Sequence, residues 1–176
     1  GLAAYAAHGG DSYSWLLLAL TAQVSERFRD ASLFRNFEML RDGLSSNGAT
    51  ALEGLGRRMF ASGHALLWPS QVDALERVAT GESFAMCTPT GSGKTTVAVV
   101  SILTGLFSSG AAEDGLVMYL VPSRALASEV ETRLSSDLAD LGIRILVTGL
   151  YGGADWGLRM DRKTTGSQPT STVGVR

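Results

Sequence analysis

The residues best suited to chemistry lie in one run, Thr88–Thr95, which reads TPTGSGKT. A short apolar segment, Ser83–Cys87, precedes the run, and an apolar-periodic helix pattern over Thr96–Phe107 follows it. Strand, glycine-rich turn and helix is the setting in which a phosphate-binding loop works. Gly91 and Gly93 lack a Cβ, so the backbone can turn tightly and bring successive N–H groups against phosphate oxygens. The helix that follows adds its positive end at the same place. The expected ligand is therefore a nucleoside triphosphate surrounded by Thr90, Gly91, Ser92, Gly93, Lys94, Thr95 and Thr96. Lys94 would reach the β- and γ-phosphates, and the Thr95 hydroxyl would hold Mg²⁺. Thr88 stands where the strict pattern has glycine. The plainer alternative is a glycine-rich turn that ends in Lys-Thr by coincidence.

Three further segments could serve the same pocket. Gln71 lies in the first turn of its own helix, and its amide can donate and accept together, as an adenine edge requires. Taken alone, a glutamine at a helix start is usually a solvated residue. Arg124, within Pro122–Ala127, follows the second expected strand and so falls at the carboxyl edge of a parallel sheet, where ligands bind. It suits a phosphate contact or an ordinary surface arginine, and spacing does not choose between them. Tyr151-Gly152-Gly153 follows the third expected strand, where paired glycines permit either close backbone approach or a plain turn.

Positioning these residues requires an alternating scaffold. Ser83–Cys87, Leu116–Val121 and Ile143–Thr148 read as strands, separated by helices over Thr96–Phe107 and Ser123–Leu141. That order predicts a parallel α/β sheet with right-handed crossovers. The unbroken apolar run of Leu116–Val121 predicts a strand buried on both faces. Upstream, Pro69 starts a short helix, with Ser70 and Asp73 in a capping-box pattern. Residues 1–66 read as a helical segment. Leu17, Thr21, Val24 and Phe28 form one stripe, Leu33, Phe37, Leu40 and Leu44 a second, and Leu52, Leu55 and Met59 a weaker third. These stripes are expected to pack on the domain that follows. Residues 67–156 form the nucleotide-binding unit, and 157–176 read as a loop or disordered tail.

Composition narrows the partners. A net charge of −2 over 176 residues excludes a basic field spread over the whole protein, so nucleic-acid contact must rest on local groups. The longest apolar run, Trp15–Leu20, is too short to span a membrane. Cys87 stands alone, which excludes an internal disulfide and a cysteine-based metal site, and it reads as a buried small hydrophobe. A reducing, cytoplasmic setting is expected.

Taken in order, these pieces resemble the first motor domain of a superfamily 2 helicase of the DEAD/DEAH-box type. WPSQ (Trp68–Gln71) is similar to the Q motif, TPTGSGKT to motif I, VPSRALASE (Val121–Glu129) to motif Ia, and Gly152-Gly153 to the glycine doublet that follows. The first position of motif I is not restricted to glycine in that family, which accommodates Thr88. The resemblance spans Leu66–Gly153. It implies a RecA-like phosphate-loop fold, a parallel sheet flanked by helices, preceded here by a small helical segment and incomplete at its C-terminal side. It further implies that Gln71 reads adenine, that Lys94 and Thr95 serve catalysis with ATP and Mg²⁺, and that Arg124, Ala125, Gly152 and Gly153 touch a DNA or RNA backbone. The family's Asp-Glu pair is missing: Asp155 and Asp161 are the acids after Gly153, and neither ends an apolar run. The sequence therefore reads as part of a larger helicase whose remaining motor domains are its partners. A non-catalytic nucleotide-binding module is the alternative.

Overall fold

The computed structural model describes residues 2–110, 115–150 and 171–175. Helices α1 (Leu2–His8), α2 (Ser12–Asp30), α3 (Leu33–Arg41), α4 (Ser46–Ala61) and α5 (Pro69–Thr80) precede the glycine-rich loop, and α6 (Lys94–Phe107) follows it. The chain continues through β1 (Leu116–Tyr119), α7 (Arg124–Asp137), β2 (Ile145–Gly149) and β3 (Ser171–Val175).

Local chemistry sets most of these boundaries. Asp11 caps α2 by accepting from Ser14 N, Ser45 caps α4 through Gly48 N, and Ser123 caps α7 through Leu126 N. Pro69 occupies the first position of α5, where its missing N–H costs nothing, and Gly81 ends that helix with φ 70°. The Ser70–Asp73 capping box is not what starts α5. Because Pro69 already opens the helix, Trp68 is its N-cap, and the Gln71 carbonyl oxygen accepts from Trp68 N at 2.8 Å.

One core joins the first helices to the α/β part. Leu33, Phe37 and Leu40 of α3 and Ala51, Leu52 and Leu55 of α4 share it with Val99, Val100, Leu103 and Leu106 of α6 and with Leu134, Leu138 and Leu141. Backbone bonds from Leu33 N to Ala65 O and from Leu67 N to Ala31 O stitch the start of α3 to the approach to α5. The boundary expected at residue 66 therefore separates no cores.

The expectation for α2 fails. None of its residues is buried, and Leu17, Val24 and Phe28 (55% exposed) face solvent with Thr21. A periodic stripe reports that a helix has an apolar side, but it does not say what lies against that side.

The sheet is parallel, in the order β1-β3-β2. Leu116 and Leu146 both pair with Thr172, and Val117 and Val147 both pair with Val173. The segment expected to be a loop or disordered tail thus supplies the middle strand. Ser-Thr-Val-Gly-Val carries β-branched residues at Thr172, Val173 and Val175, a weak strand signal that depends on two distant partners for its ladder. Ser83–Cys87 departs the other way. Its burial alternates, with Phe84 and Met86 half-buried and Ser83, Ala85 and Cys87 exposed, so it is extended, but it has no ladder partner among the described residues. Cys87 is accordingly exposed rather than buried.

Among the described residues, β1 is covered on one face. Val117 and Tyr119 pack toward the helices together with Ile145 and Val147, whereas Leu116, Met118 and Leu120 (70% exposed) face outward. No helix among the described residues is long and apolar enough to cross a membrane.

Candidate functional site

The glycine-rich loop is built around two left-handed residues, Gly91 with φ 84° and Gly93 with φ 76°. Gly93 is the N-cap of α6 and brings no side-chain cap. The first amides of a helix have no partner within the helix. Among the described residues, no protein acceptor takes the amides of Gly91, Gly93, Lys94 or Thr95. Successive amides around left-handed glycines form a concave donor surface that suits an anion. The apolar body of α6 fixes where its start lies. Val97, Val99, Val100, Ile102, Leu103, Leu106 and Phe107 are buried, so the helix is anchored along its length and offers only its first turn to a ligand.

Side chains close the loop on itself. The Lys94 ammonium donates to Thr88 O at 2.5 Å and to Pro89 O at 2.7 Å. The hydroxyls of Thr88 and Ser92 lie 2.6 Å apart, and Ser92 N donates to Pro89 O at 3.4 Å. Thr88 thus has a function in the loop that its departure from the strict pattern concealed: it ties one arm of the turn to the other. Lys94 remains exposed, so an anion could draw its ammonium away from the two carbonyls without exposing core.

Gln71 is placed against this loop. It is 5% exposed, and its side-chain N–H donates to Gly93 O at 3.1 Å while its carbonyl oxygen accepts from Trp68 N. One amide proton and one lone pair of the side chain stay uncommitted by these two bonds. The fit is close: a Cβ at Gly93 would lie 2.1 Å from Gln71 Nε2. The link between α5 and the loop is therefore a packed contact and not proximity alone.

Thr95 and Thr96 line a cleft of about 250 Å³ with Leu55, Arg58 and Met59 of α4 and Arg133 and Asp137 of α7. Arg124 is the first residue of α7. It is exposed, as is Ala125, and among the described residues Arg124 forms no hydrogen bond or ion pair. The helix start it occupies is capped by Ser123, and the Arg124 and Ala125 amides have no protein acceptor among the described residues. Gly152 and Gly153 lie outside the described residues. No cluster of three or more His, Cys, Asp or Glu side chains occurs among the described residues.

The DEAD/DEAH box helicase family model matches residues 68–172, from the N-cap of α5 into β3. The chain belongs to the DEAD/DEAH-box helicase family. Individual relatives agree. The chain is 31% identical to Hachiman protein HamB of Bacillus cereus over 88% of its own length, and 36% identical to the ATP-dependent DNA helicase Hel308 of Pyrococcus horikoshii over 51%. It is also 31% identical to an Lhr helicase/probable uracil glycosylase of Mycolicibacterium smegmatis over 56%. These matches cover 13%, 12% and 7% of the three relatives, so the chain corresponds to a small part of each. Membership implies the RecA-like α/β fold and places the four sequence motifs in a helicase context. The matched region reaches into β3.

Proposed function

We propose that this chain is the ATP-binding part of the first motor domain of an ATP-dependent nucleic-acid helicase or translocase. The observation that carries the reading is the cup formed at the start of α6 by the amides of Gly91, Gly93, Lys94 and Thr95, which have no protein acceptor among the described residues, with Lys94 at its mouth. Thr90 to Thr96 are the residues that would surround the phosphates of ATP. Thr95 is the metal ligand, and Gln71 is the group placed for the adenine edge. Mg²⁺ would be held by the Thr95 hydroxyl and would supply positive charge against the phosphates of ATP. Lys94 adds a second positive charge, and the Gly93, Lys94 and Thr95 amides orient the same oxygens.

Arg124 and Ala125 are assigned to a DNA or RNA backbone, because an exposed arginine and helix-start amides without a protein acceptor among the described residues suit phosphate oxygens. Gly152 and Gly153 are assigned to the same strand by the family resemblance. The acids that activate water, and the second motor domain, are partners to be supplied by the rest of a full-length parent. Phosphoryl transfer needs metal, water and positive charge placed together. The described residues hold the phosphate-binding share of that set, so hydrolysis by this chain alone should be negligible. The finer architecture, a RecA-like parallel sheet with helices on both faces, belongs to the same proposal, because the outward side of β1 is apolar.

The test is ATP turnover by the full-length parent with and without single-stranded DNA or RNA. Turnover stimulated by either nucleic acid is expected. A rate indifferent to both would refute the motor reading and favour a nucleotide-binding module. Arg124→Ala should weaken nucleic-acid binding and lower its salt slope by about one phosphate contact. Affinities measured across a salt series check this, and an unchanged slope would make Arg124 an ordinary surface residue.

A further inference from the structure

The far end of α7 is held by a helix that lies outside the family's matched region. Thr50, Gly54 and Arg58 recur every four residues along α4 and so share one face. That face meets the turn that ends α7. The Arg58 guanidinium donates to Ser136 O at 2.9 Å and to Asp137 O at 2.8 Å, and it also bonds Ala139 O. Gly54 lies so close that a Cβ there would be 2.9 Å from Leu141 O and 3.1 Å from Leu141 Cα. Thr50 completes the row beside Gly142, where an added Cβ would be 3.1 Å from the Thr50 methyl.

The chemistry of α7 explains what Arg58 does there. The last carbonyls of a helix are unpaired and carry the negative end of its dipole, which a cation stabilises. α7 has no basic residue in its last turn and ends on Asp137, so its own sequence lacks the expected cation. Arg58 provides it from 78 to 81 residues away. The helix is otherwise lightly anchored: of its 14 residues, Ala127 and Leu134 are buried. A planar guanidinium can bridge several carbonyls, which an ammonium cannot do in the same fixed geometry.

We infer that α4 is a brace for the nucleic-acid-binding helix, and that Arg58 is a positioning residue that sets how Arg124 and the first turn of α7 meet the backbone of the strand. The family model begins at residue 68, after α4, whereas a match over 88% of the chain to HamB must include α4. The brace therefore belongs to the helical segment that this chain adds to the motor. The inference rests on the assignment of Arg124 to nucleic acid.

Two variants break the contact by different means. Arg58→Ala removes the cation, and Gly54→Ala pushes the Leu141 backbone away while leaving Arg58 in place. In the full-length parent, each should raise the single-stranded nucleic-acid concentration for half-maximal ATPase stimulation by roughly five- to tenfold, at the low end of coupling between sites. In Gly54→Ala basal turnover and the KM for ATP should stay unchanged, and the half-stimulation of Arg58→Lys should fall between wild type and Arg58→Ala. Unchanged half-stimulation in both variants overturns the brace, as does a proportional fall in the basal turnover of Gly54→Ala, which marks mere structural damage. Should Arg58→Ala not fold, Gly54→Ala decides the matter alone. Arg124→Ala, measured in parallel, separates the two levels: if it weakens stimulation and the α4 variants do not, only the brace fails. If Arg124→Ala has no effect, the assignment fails and the brace falls with it.

Discussion

Lys94→Ala in the full-length parent should lower ATP turnover by about 10²–10³-fold, the loss seen when one charged or hydrogen-bonding group is removed from a developing anion. The structure indicates why the loss should fall on chemistry rather than folding. The Lys94 ammonium donates to two backbone oxygens, Thr88 O and Pro89 O, and the side chain is exposed. Water can replace an exposed ammonium at both carbonyls, so the stability change should stay within about 0.5 kcal/mol, as for other surface substitutions. Steady-state turnover at saturating ATP and nucleic acid, set beside thermal unfolding of the same protein, measures both quantities. Wild-type turnover in this variant would remove Lys94 from the catalytic set. A large fall in melting temperature would place it in the fold instead.

The contrast between a legible loop and a less legible scaffold has a physical origin. The loop depends on local facts: glycines where φ must be positive, a lysine and a threonine at fixed offsets, and a helix that starts at once. Each is visible within eight residues. The 4-3-4 stripe of α3 and the weaker 3-4 stripe of α4 are local too, and these helices do enter the core. What escaped depends on distant partners. β3 becomes a strand because β1 and β2 flank it, more than twenty residues away in sequence, and five residues of Ser, Thr, Val and Gly do not announce that on their own. The apolar stripe of α2 looked like that of α3, yet α3 is buried and α2 is not. Arg58 is the sharpest case. Its sequence neighbours describe a charged position on a weak helix, and only the meeting of α4 with the end of α7 gives it three carbonyls to hold. Glycine lowers helix propensity at position 54, and the structure accounts for it as the residue that lets the Leu141 backbone come close.

Gly93→Ala should damage both stability and the loop, and a comparison with Gly91→Ala separates its two causes. Both glycines are left-handed, at φ 84° for Gly91 and φ 76° for Gly93, so either substitution incurs about 1–2 kcal/mol of backbone strain. At Gly91 the new Cβ meets nothing within 4 Å, and the strain is the whole cost. At Gly93 it would lie 2.1 Å from Gln71 Nε2 and 2.9 Å from Gln71 Cδ. Gln71 is buried and cannot yield without giving up its bonds to Gly93 O and Trp68 N. Leaving buried polar groups unpaired adds about 1–3 kcal/mol, which brings Gly93→Ala to roughly 2–5 kcal/mol. The same displacement turns the first amides of α6 out of line, so ATP affinity should fall along with stability, whereas Gly91→Ala should retain most of both. Denaturant unfolding and nucleotide titration of the two variants measure the difference directly. Gln71→Ala in the Gly93→Ala background should then recover part of the lost stability, because the clash goes with the amide. A double-mutant cycle that closes to zero would mean that Gln71 and the loop are merely neighbours. A coupling of a kcal/mol or more would make the glutamine a structural member of the phosphate loop, whatever else it touches when ATP is bound.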